Sequence, residues 1–390
     1  MIGSNLQSKI EDIDWDLENV ETQYLTHSIH RYSGKFIPQI AQQAINLITK
    51  PGDLVLDPYC GSGTTLLECS LSGRRSIGVD LNPLAVLISR VKVTPIEARK
   101  LHTFVKEIED YARPFVRGVS SNLDLFEGSE RSHRDSAEIV NHDFRWQDPW
   151  YKKWFTDDIR SELIFLHQKI SNFPCASCRN VGLTAFSDIL RRSSNANSSY
   201  PNVMFDKNRV SPPLPTPRFV ERLREISQAV GQLDSALNCR PRPTILRANA
   251  NHLPIRDNSI DAIITHPPYI GSIPYAEYGL LSLVWLGYDP KSLDRTLTGG
   301  RRQSKDVVQR FRDDFHRMFA ESWRVLKPGK MLFVLVGNPT VRSKRIDLSD
   351  MAKKLAFSVG FKLQAFHRRN GVNRRANLMG RETLLFFQKE

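Results

Sequence analysis

The chain has 390 residues, 40% apolar and 25% charged, which suits a large folded core and excludes disordered, collagen-like and mini-protein scaffolds. Its apolar runs, such as Leu280 to Leu286 and Met331 to Val336, fall short of the roughly 18 residues that cross a bilayer, so no membrane association is expected. Fifty-five Lys and Arg against 42 Asp and Glu leave a net charge of +13, which makes a polyanion, nucleic acid first, the expected partner.

Residues 1–24 form an acidic arm (Glu11, Asp12, Asp14, Asp16, Glu18, Glu21), opposite in sign to the rest and expected to cover something basic or to stay solvated. From Ile37 to Ile48 apolar residues recur at helical spacing until Pro51-Gly52-Asp53 stops them. Leu54 to Leu56 reads as a buried strand, 57–64 as a Gly-containing loop and Thr65 to Leu71 as a helix. Arg75 to Val79 follows as a strand ending at Asp80, then a helix from Leu84 to Val93, and this alternation implies a parallel sheet. Strand signals vanish between about 94 and 240. That stretch reads as an inserted, mainly helical subdomain in which Ser193 to Pro217, rich in Ser, Asn and Pro, is a loop. Alternation returns with strands at Thr244 to Arg247 and Ile260 to Thr265, a helix from about Lys305 to Val325 and a strand from Lys330 to Val336. A helix from Leu348 to Val359 and strands near Phe361 to His367 and Thr383 to Gln388 complete the pattern.

The segment Asp57-Pro58-Tyr59-Cys60-Gly61-Ser62-Gly63-Thr64 lies where an open α/β sheet places its ligand, at the carboxyl end of the first strand. Its glycines admit close backbone approach, and Asp80 is placed to accept from ribose hydroxyls. Leu66 stands where a third dinucleotide-motif glycine would fall, and no P-loop lysine follows, so a nucleoside without pyrophosphate fits better. Together with Gly78-Val79-Asp80-Leu81-Asn82-Pro83, this segment resembles the first two motifs of class I S-adenosylmethionine methyltransferases. The resemblance implies a seven-stranded, Rossmann-like α/β sheet and S-adenosyl-L-methionine as cofactor, held by residues 57–64 and by Asp80, Leu81 and Asn82.

The strand ending at Thr265 runs into His266-Pro267-Pro268-Tyr269, where two prolines stop the sheet ladder and fix a rigid loop. This resembles the [Ser/Asp/Asn]-Pro-Pro-Tyr motif of methyltransferases that modify the exocyclic amines of bases. An amine lone pair delocalised into the ring is a poor nucleophile; acceptors holding its hydrogens localise the pair and aim it. The resemblance assigns acceptor roles to His266 and the Pro267 carbonyl, the rigid turn to Pro268, and base stacking to Tyr269. His266 departs from the Ser of cytosine-N4 enzymes and the Asp or Asn of adenine-N6 enzymes, and only a neutral imidazole can accept a hydrogen bond.

Upstream, Thr26 to Gln39 is similar to the motif that precedes the cofactor loop in many DNA amino-methyltransferases, which makes Lys35, Phe36 and Pro38 cofactor-capping candidates; Ser33 replaces the usual proline. Ala248 to Pro254 resembles the third motif, with Asn249 where an aspartate meets the adenine amine. These motifs assign 25–94 and 241–390 to a catalytic domain and leave 95–240 for target recognition. Candidate phosphate contacts are Arg191-Arg192, Arg301-Arg302, Arg368-Arg369 and Arg374-Arg375, while Tyr275, Tyr278 and Trp285 read as packing residues.

Five cysteines are too few and too scattered for a disulfide framework. Cys175 and Cys178 have metal spacing without a second pair, so no metal is expected. Pro174-Cys175 and Glu18-Asn19-Val20 occur in the wrong order for a cytosine-C5 enzyme. With no secretory pattern in Met1 to Ile10, the expected location is cytoplasmic, in a bacterial-type cytosol or nucleoid.

The leading expectation is methylation of a flipped base in double-stranded DNA at an amino nitrogen, cytosine N4 ahead of adenine N6, because Thr265-His266-Pro267-Pro268-Tyr269 is closer to the T-S-P-P-Y pattern. An RNA base-amine methyltransferase, against which Ile270 counts, and a non-catalytic cofactor sensor are the alternatives. A restriction endonuclease is the partner such a modification enzyme would have, though the sequence itself does not show one.

Overall fold

The computed structural model describes residues 2–117, 147–200, 202–237, 240–271, 273–300, 304–370 and 382–390. Seven strands make the expected mixed α/β sheet: β1 (Leu54–Asp57), β2 (Arg75–Asp80), β3 (Thr244–Arg247), β4 (Ile260–Thr265), β5 (Leu326–Gly337), β6 (Phe361–Arg369) and β7 (Glu382–Lys389). Their order is β3-β2-β1-β4-β5-β7-β6, and only β7 runs antiparallel to its neighbours. The order reverses between β1 and β4, so their carboxyl ends diverge over a crevice, the place where open α/β sheets take ligands. β4 is buried at every residue, as a strand covered on both faces must be.

Helices α1 (Ile2–Glu11), α2 (Pro38–Ile48), α3 (Thr64–Leu71) and α4 (Pro83–Val93) precede the insertion. The insertion contributes α5 (Ala98–Arg117), α6 (Pro149–Trp154), α7 (Asp157–Ser171), α8 (Ala176–Leu190) and α9 (Pro215–Ala236), with no named strand among its described residues. The loop expected to run to Pro217 ends earlier, because Pro215 opens α9 at a position where its missing N–H costs nothing. After short helices at Tyr275–Tyr278, Leu280–Trp285 and Pro290–Thr296 come two longer ones, α10 (Val307–Val325) and α11 (Leu348–Ser358). The insertion is not a detached lobe: Phe104, Leu163, Phe186 and Leu223 share one apolar core with Ile29, Leu84, Ile88 and Trp285.

The acidic arm is docked on the sheet edge. The Gln7 amide donates to the Phe366 carbonyl and its oxygen accepts from the Phe366 N–H, which satisfies part of the open edge of β6. Trp15 is 1% exposed and tilts against Phe386. The basic group the arm covers is Arg369, which donates from Nε to the Trp15 carbonyl at 2.7 Å and from Nη2 to the Asp16 carbonyl at 3.0 Å.

Candidate active site

The loop after β1 is built around its own backbone. Cys60 N–H donates to the Val79 carbonyl and Gly63 N–H to the Cys60 carbonyl, which curls the chain into the start of α3. Gly63 takes φ +82, and a Cβ there would stand 2.9 Å from Cβ of Ser89 on α4, so a side chain is excluded by conformation and by packing. Gly61, at φ +49, has a more open side, with Tyr32 Cε1 the nearest atom at 3.5 Å from such a Cβ. Asp57 accepts from Tyr59 N–H and from the Thr265 hydroxyl at 2.9 Å, tying the cofactor loop to the end of β4; burial pushes its carboxyl up to about 6.

Asp80 closes β2. One carboxylate oxygen accepts from Gly61 N–H at 2.9 Å and the other from Asn82 N–H at 2.8 Å; burial, opposed by these two bonds, raises the group to about 6. Two oxygens with spare lone pairs at the loop's edge suit a vicinal diol. Asn82 is 2% exposed and caps α4 by accepting from Leu84 N–H, so its role is to hold the loop. Leu81 is half-buried against the insertion's core, and Pro58 and Thr64 are buried. Asn249 uses its side-chain oxygen to accept from Asn251 N–H at 2.9 Å, leaving one lone pair for another donor.

Two lysines lie under this loop. Lys35 donates to the His27 and His30 carbonyls, and burial lowers it to about 8. Lys92 is fully buried, bonded to the Ser62 hydroxyl at 3.3 Å, and is held far below the usual lysine range first by burial and then by Lys35. Lys35, lowered only to about 8, keeps its charge near neutral pH and suits the carboxylate of a methionine moiety, whereas burial drives Lys92 toward its neutral form and its bond to Ser62 holds the loop. The other capping candidates sit differently. Pro38 opens α2, and Phe36 packs between Phe333 and the His266 ring, whose centroid is 5.4 Å away, so it faces the reacting motif.

At the end of β4, half-buried His266 sets Nε2 2.7 Å from the Tyr269 hydroxyl, which donates to Glu382 at 3.3 Å. Burial, reinforced by Arg369 and opposed by Glu382, holds the imidazole below the ordinary histidine range. Tyr269 is 5% exposed and lies against Gly337, where a Cβ would come within 2.9 Å of its ring. In this conformation the ring offers a base little of its face, which departs from the stacking role the resemblance implies.

The basic candidates separate. Arg369 is 2% exposed and paired with Glu382 at 2.7 Å, so its guanidinium is spent inside the protein, not on a phosphate. Arg191 donates to the Asn197 and Asn202 carbonyls and braces the 193–214 loop. Arg192 and Arg368 are exposed. Arg301, Arg302, Arg374 and Arg375 lie outside the described residues.

Sequence reasoning missed Glu382 and its ion pair, since nothing local marks them. It also passed over Tyr32, which stacks on Tyr275 at 5.9 Å and accepts from Asn82 at 3.4 Å. Tyr275 therefore braces the cap against the reacting loop, while Trp285 is buried in the core as expected.

Residues 4–90 match the family model described as DNA methylase, so the acidic arm belongs to the matched region. The chain is 28% identical to the Type II methyltransferase M.MvaI of Kocuria varians, over 90% of this chain and 86% of that one. It is 25% identical to M.MjaII of Methanocaldococcus jannaschii, over 84% and 75% respectively. A shorter stretch, 20% of this chain, is 32% identical to a tRNA (guanine(10)-N2)-dimethyltransferase of the same organism. Among solved structures, a methyltransferase from Methanosarcina mazei covers 89% of this chain and is itself covered to 96%, at 12% identity and a TM-score of 0.35. The matches to the DNA methylase model and to the Type II methyltransferases bear out the resemblance to the DNA amino-methyltransferases, and with it S-adenosylmethionine as cofactor.

Proposed function

We propose that the chain methylates the exocyclic amine of a base flipped from double-stranded DNA, cytosine N4 ahead of adenine N6. The observation that carries this reading is His266 at the carboxyl end of β4, one strand from the cofactor loop, with Nε2 engaged by Tyr269 and Nδ1 making no hydrogen bond to a described residue. S-adenosylmethionine, when bound, supplies an electrophilic methyl group. Asp80 holds the ribose hydroxyls, Gly61 and Ser62 line the loop, and Lys35 balances the carboxylate. His266 Nδ1 and the Pro267 carbonyl accept the two amine hydrogens, which localises the lone pair for attack. Phe36 backs the imidazole and keeps water from that side.

The insertion is the proposed reader of the target. Among the described residues, five of the seven exposed large apolar side chains (Tyr200, Met204, Phe205, Val210, Leu214) fall in its 193–214 loop, beside the exposed cations Arg192 and Lys207. Asn202 of this loop donates to Glu277, in the segment that follows the Pro-Pro-Tyr motif, so the loop borders the reacting end. An apolar tip with basic flanks suits insertion into a groove and contact with phosphates. A restriction endonuclease remains the proposed partner in the cell.

The short match to a tRNA amine methyltransferase favours RNA as the second reading. Incubation with methyl-labelled cofactor and either duplex DNA or tRNA, followed by nucleoside analysis, decides between them. N4-methylcytosine from DNA is the expected product; N6-methyladenine or a methylated tRNA base overturns that assignment.

A further inference from the structure

Tyr269 has one hydroxyl proton and two neighbours able to accept it, the His266 ring at 2.7 Å and Glu382 Oε1 at 3.3 Å. Which of them receives it decides what His266 presents to a substrate. Glu382 is ion-paired through Oε2 to Arg369 Nη1 at 2.7 Å, and a carboxylate so paired can only accept. If the phenol proton turned to His266, the phenolic oxygen would face the carboxylate with no proton between them, a lone-pair repulsion in a buried site. With the phenol proton on the Glu382 side, Nε2 must be the protonated ring nitrogen and donates to Tyr269. We infer that Glu382, acting through Tyr269, fixes His266 in the Nε2–H tautomer, leaving an Nδ1 lone pair to accept from the target amine.

Glu382 is thus a positioning residue two hydrogen bonds from the reacting atom. Arg369 steadies it and is itself held by the Trp15 and Asp16 carbonyls, so the N-terminal arm is the outer end of the same chain of contacts. Among the described residues, the charged and titratable groups that bear on His266 are Tyr269 of its own loop, Glu382 of β7 and Arg369 of β6, and the cap segment lays the uncharged Phe36 ring against it. This inference rests on the proposed amine-acceptor role of His266.

Glu382→Gln isolates the device because the side-chain shape is kept. Arg369 holds the amide oxygen, so the amide NH2 points at Tyr269; the phenol proton then turns to Nε2 and the ring proton moves to Nδ1, converting the acceptor into a donor. The full-length protein, labelled with 15N-histidine, reports the tautomer by long-range proton–nitrogen NMR, with His266 assigned as the signal lost in His266→Ser. The expected result is Nε2–H in the wild type and Nδ1–H in Glu382→Gln. Single-turnover methylation should fall about 10-fold or more in that variant, with cofactor affinity unchanged. Adding Tyr269→Phe should restore part of the rate, since no hydroxyl then forces the wrong tautomer, an effect that a purely structural loss would not produce. Should Glu382→Gln not fold, Tyr269→Phe alone leaves the ion pair intact and should admit a measurable Nδ1–H fraction. An Nδ1–H wild type, or a Glu382→Gln protein that keeps Nε2–H and full rate, overturns the inference. A wild type that shows Nε2–H and methylates no nucleic acid overturns the proposed function instead, leaving the tautomer assignment standing.

Discussion

The Gly61 amide and the Asp80 carboxylate are joined at 2.9 Å, so the loop after the first strand and the acid after the second form one unit. Removing the acid therefore has two effects, loss of the diol acceptor and release of the loop. Asp80→Ala should weaken cofactor binding by about 10-fold or more, as hydrogen bonds to a charged group contribute about 1.5–3 kcal/mol. Because burial raises this carboxyl to about 6, it takes up its proton as pH falls through that value and loses acceptor capacity. Wild-type affinity should accordingly drop on acidification below about 6, whereas Asp80→Asn should be weak and nearly flat with pH. Isothermal titration of both proteins from pH 5 to 8 tests this, and an affinity in Asp80→Ala equal to wild type would remove Asp80 from the site.

The two loop glycines should respond differently to alanine. Gly63→Ala meets Ser89 Cβ at 2.9 Å from a left-handed backbone and should destabilise the protein by roughly 2 kcal/mol or more. Gly61→Ala has 3.5 Å to its nearest neighbour, so it should melt closer to wild type while binding the cofactor less well. Thermal melts with and without S-adenosylmethionine separate the two, and equal melting shifts would argue against the packing account.

Adjacent arginines should likewise part company. Arg369→Ala leaves Glu382 buried without its cation and should cost about 3–5 kcal/mol of stability. Arg368→Ala removes an exposed charge; it should leave stability nearly unchanged and, if it meets a phosphate, should lower DNA affinity and the salt dependence of binding. Denaturant melts and binding titrations at two salt concentrations distinguish them. A stable Arg369→Ala with reduced DNA binding would return that residue to the interface.

These arginines also mark the limit of what the chain reveals by itself. The elements from Ile37 to Val93 are legible because the apolar spacing of α2, the short apolar runs of β1 and β2 and the Pro51-Gly52 stop are local properties of the sequence. Asp57 to Thr64 and His266 to Tyr269 are legible because their chemistry is written in consecutive residues. Nothing local separates Arg368 from Arg369, since the alternation of β6 decides which faces inward, and the partners Trp15 and Asp16 lie more than 350 positions away in sequence. The same non-locality hid Glu382 and the inward turn of Tyr269.

Deleting 193–214, between α8 and α9, should test target reading without touching the cofactor loop. Arg191, Asn195 and Arg209 bond mainly within this loop and to the last residues of α6, Lys153 and Trp154, so its removal leaves the sheet intact. DNA binding should fall while cofactor affinity holds. If site selection survives unaltered, recognition lies with Arg368 and the arginine pairs at 301 and 374.

The pH profile of methyl transfer should follow His266. Burial and Arg369 lower its affinity for a proton more than Glu382 raises it, so the neutral, accepting form persists below the ordinary histidine value of about 6.5. The sign follows directly: protonation occupies Nδ1, so activity rises with pH through a limb placed below about 6.5 and is flat above it. Stability runs the same way, because the unfolded chain binds the proton more readily than the folded one, and the contribution of this site is lost as pH falls through the unfolded value toward the folded one. His266→Ser keeps an acceptor that does not titrate in this range; it should retain part of the activity and lose the limb. His266→Ala has no acceptor and should fall substantially at every pH. Single-turnover rates of the three proteins across pH provide the measurement. Equal rates for wild type and His266→Ala would remove the imidazole from the mechanism and leave the amine to the Pro267 carbonyl and the Tyr269 oxygen, whose lone pair the variant frees.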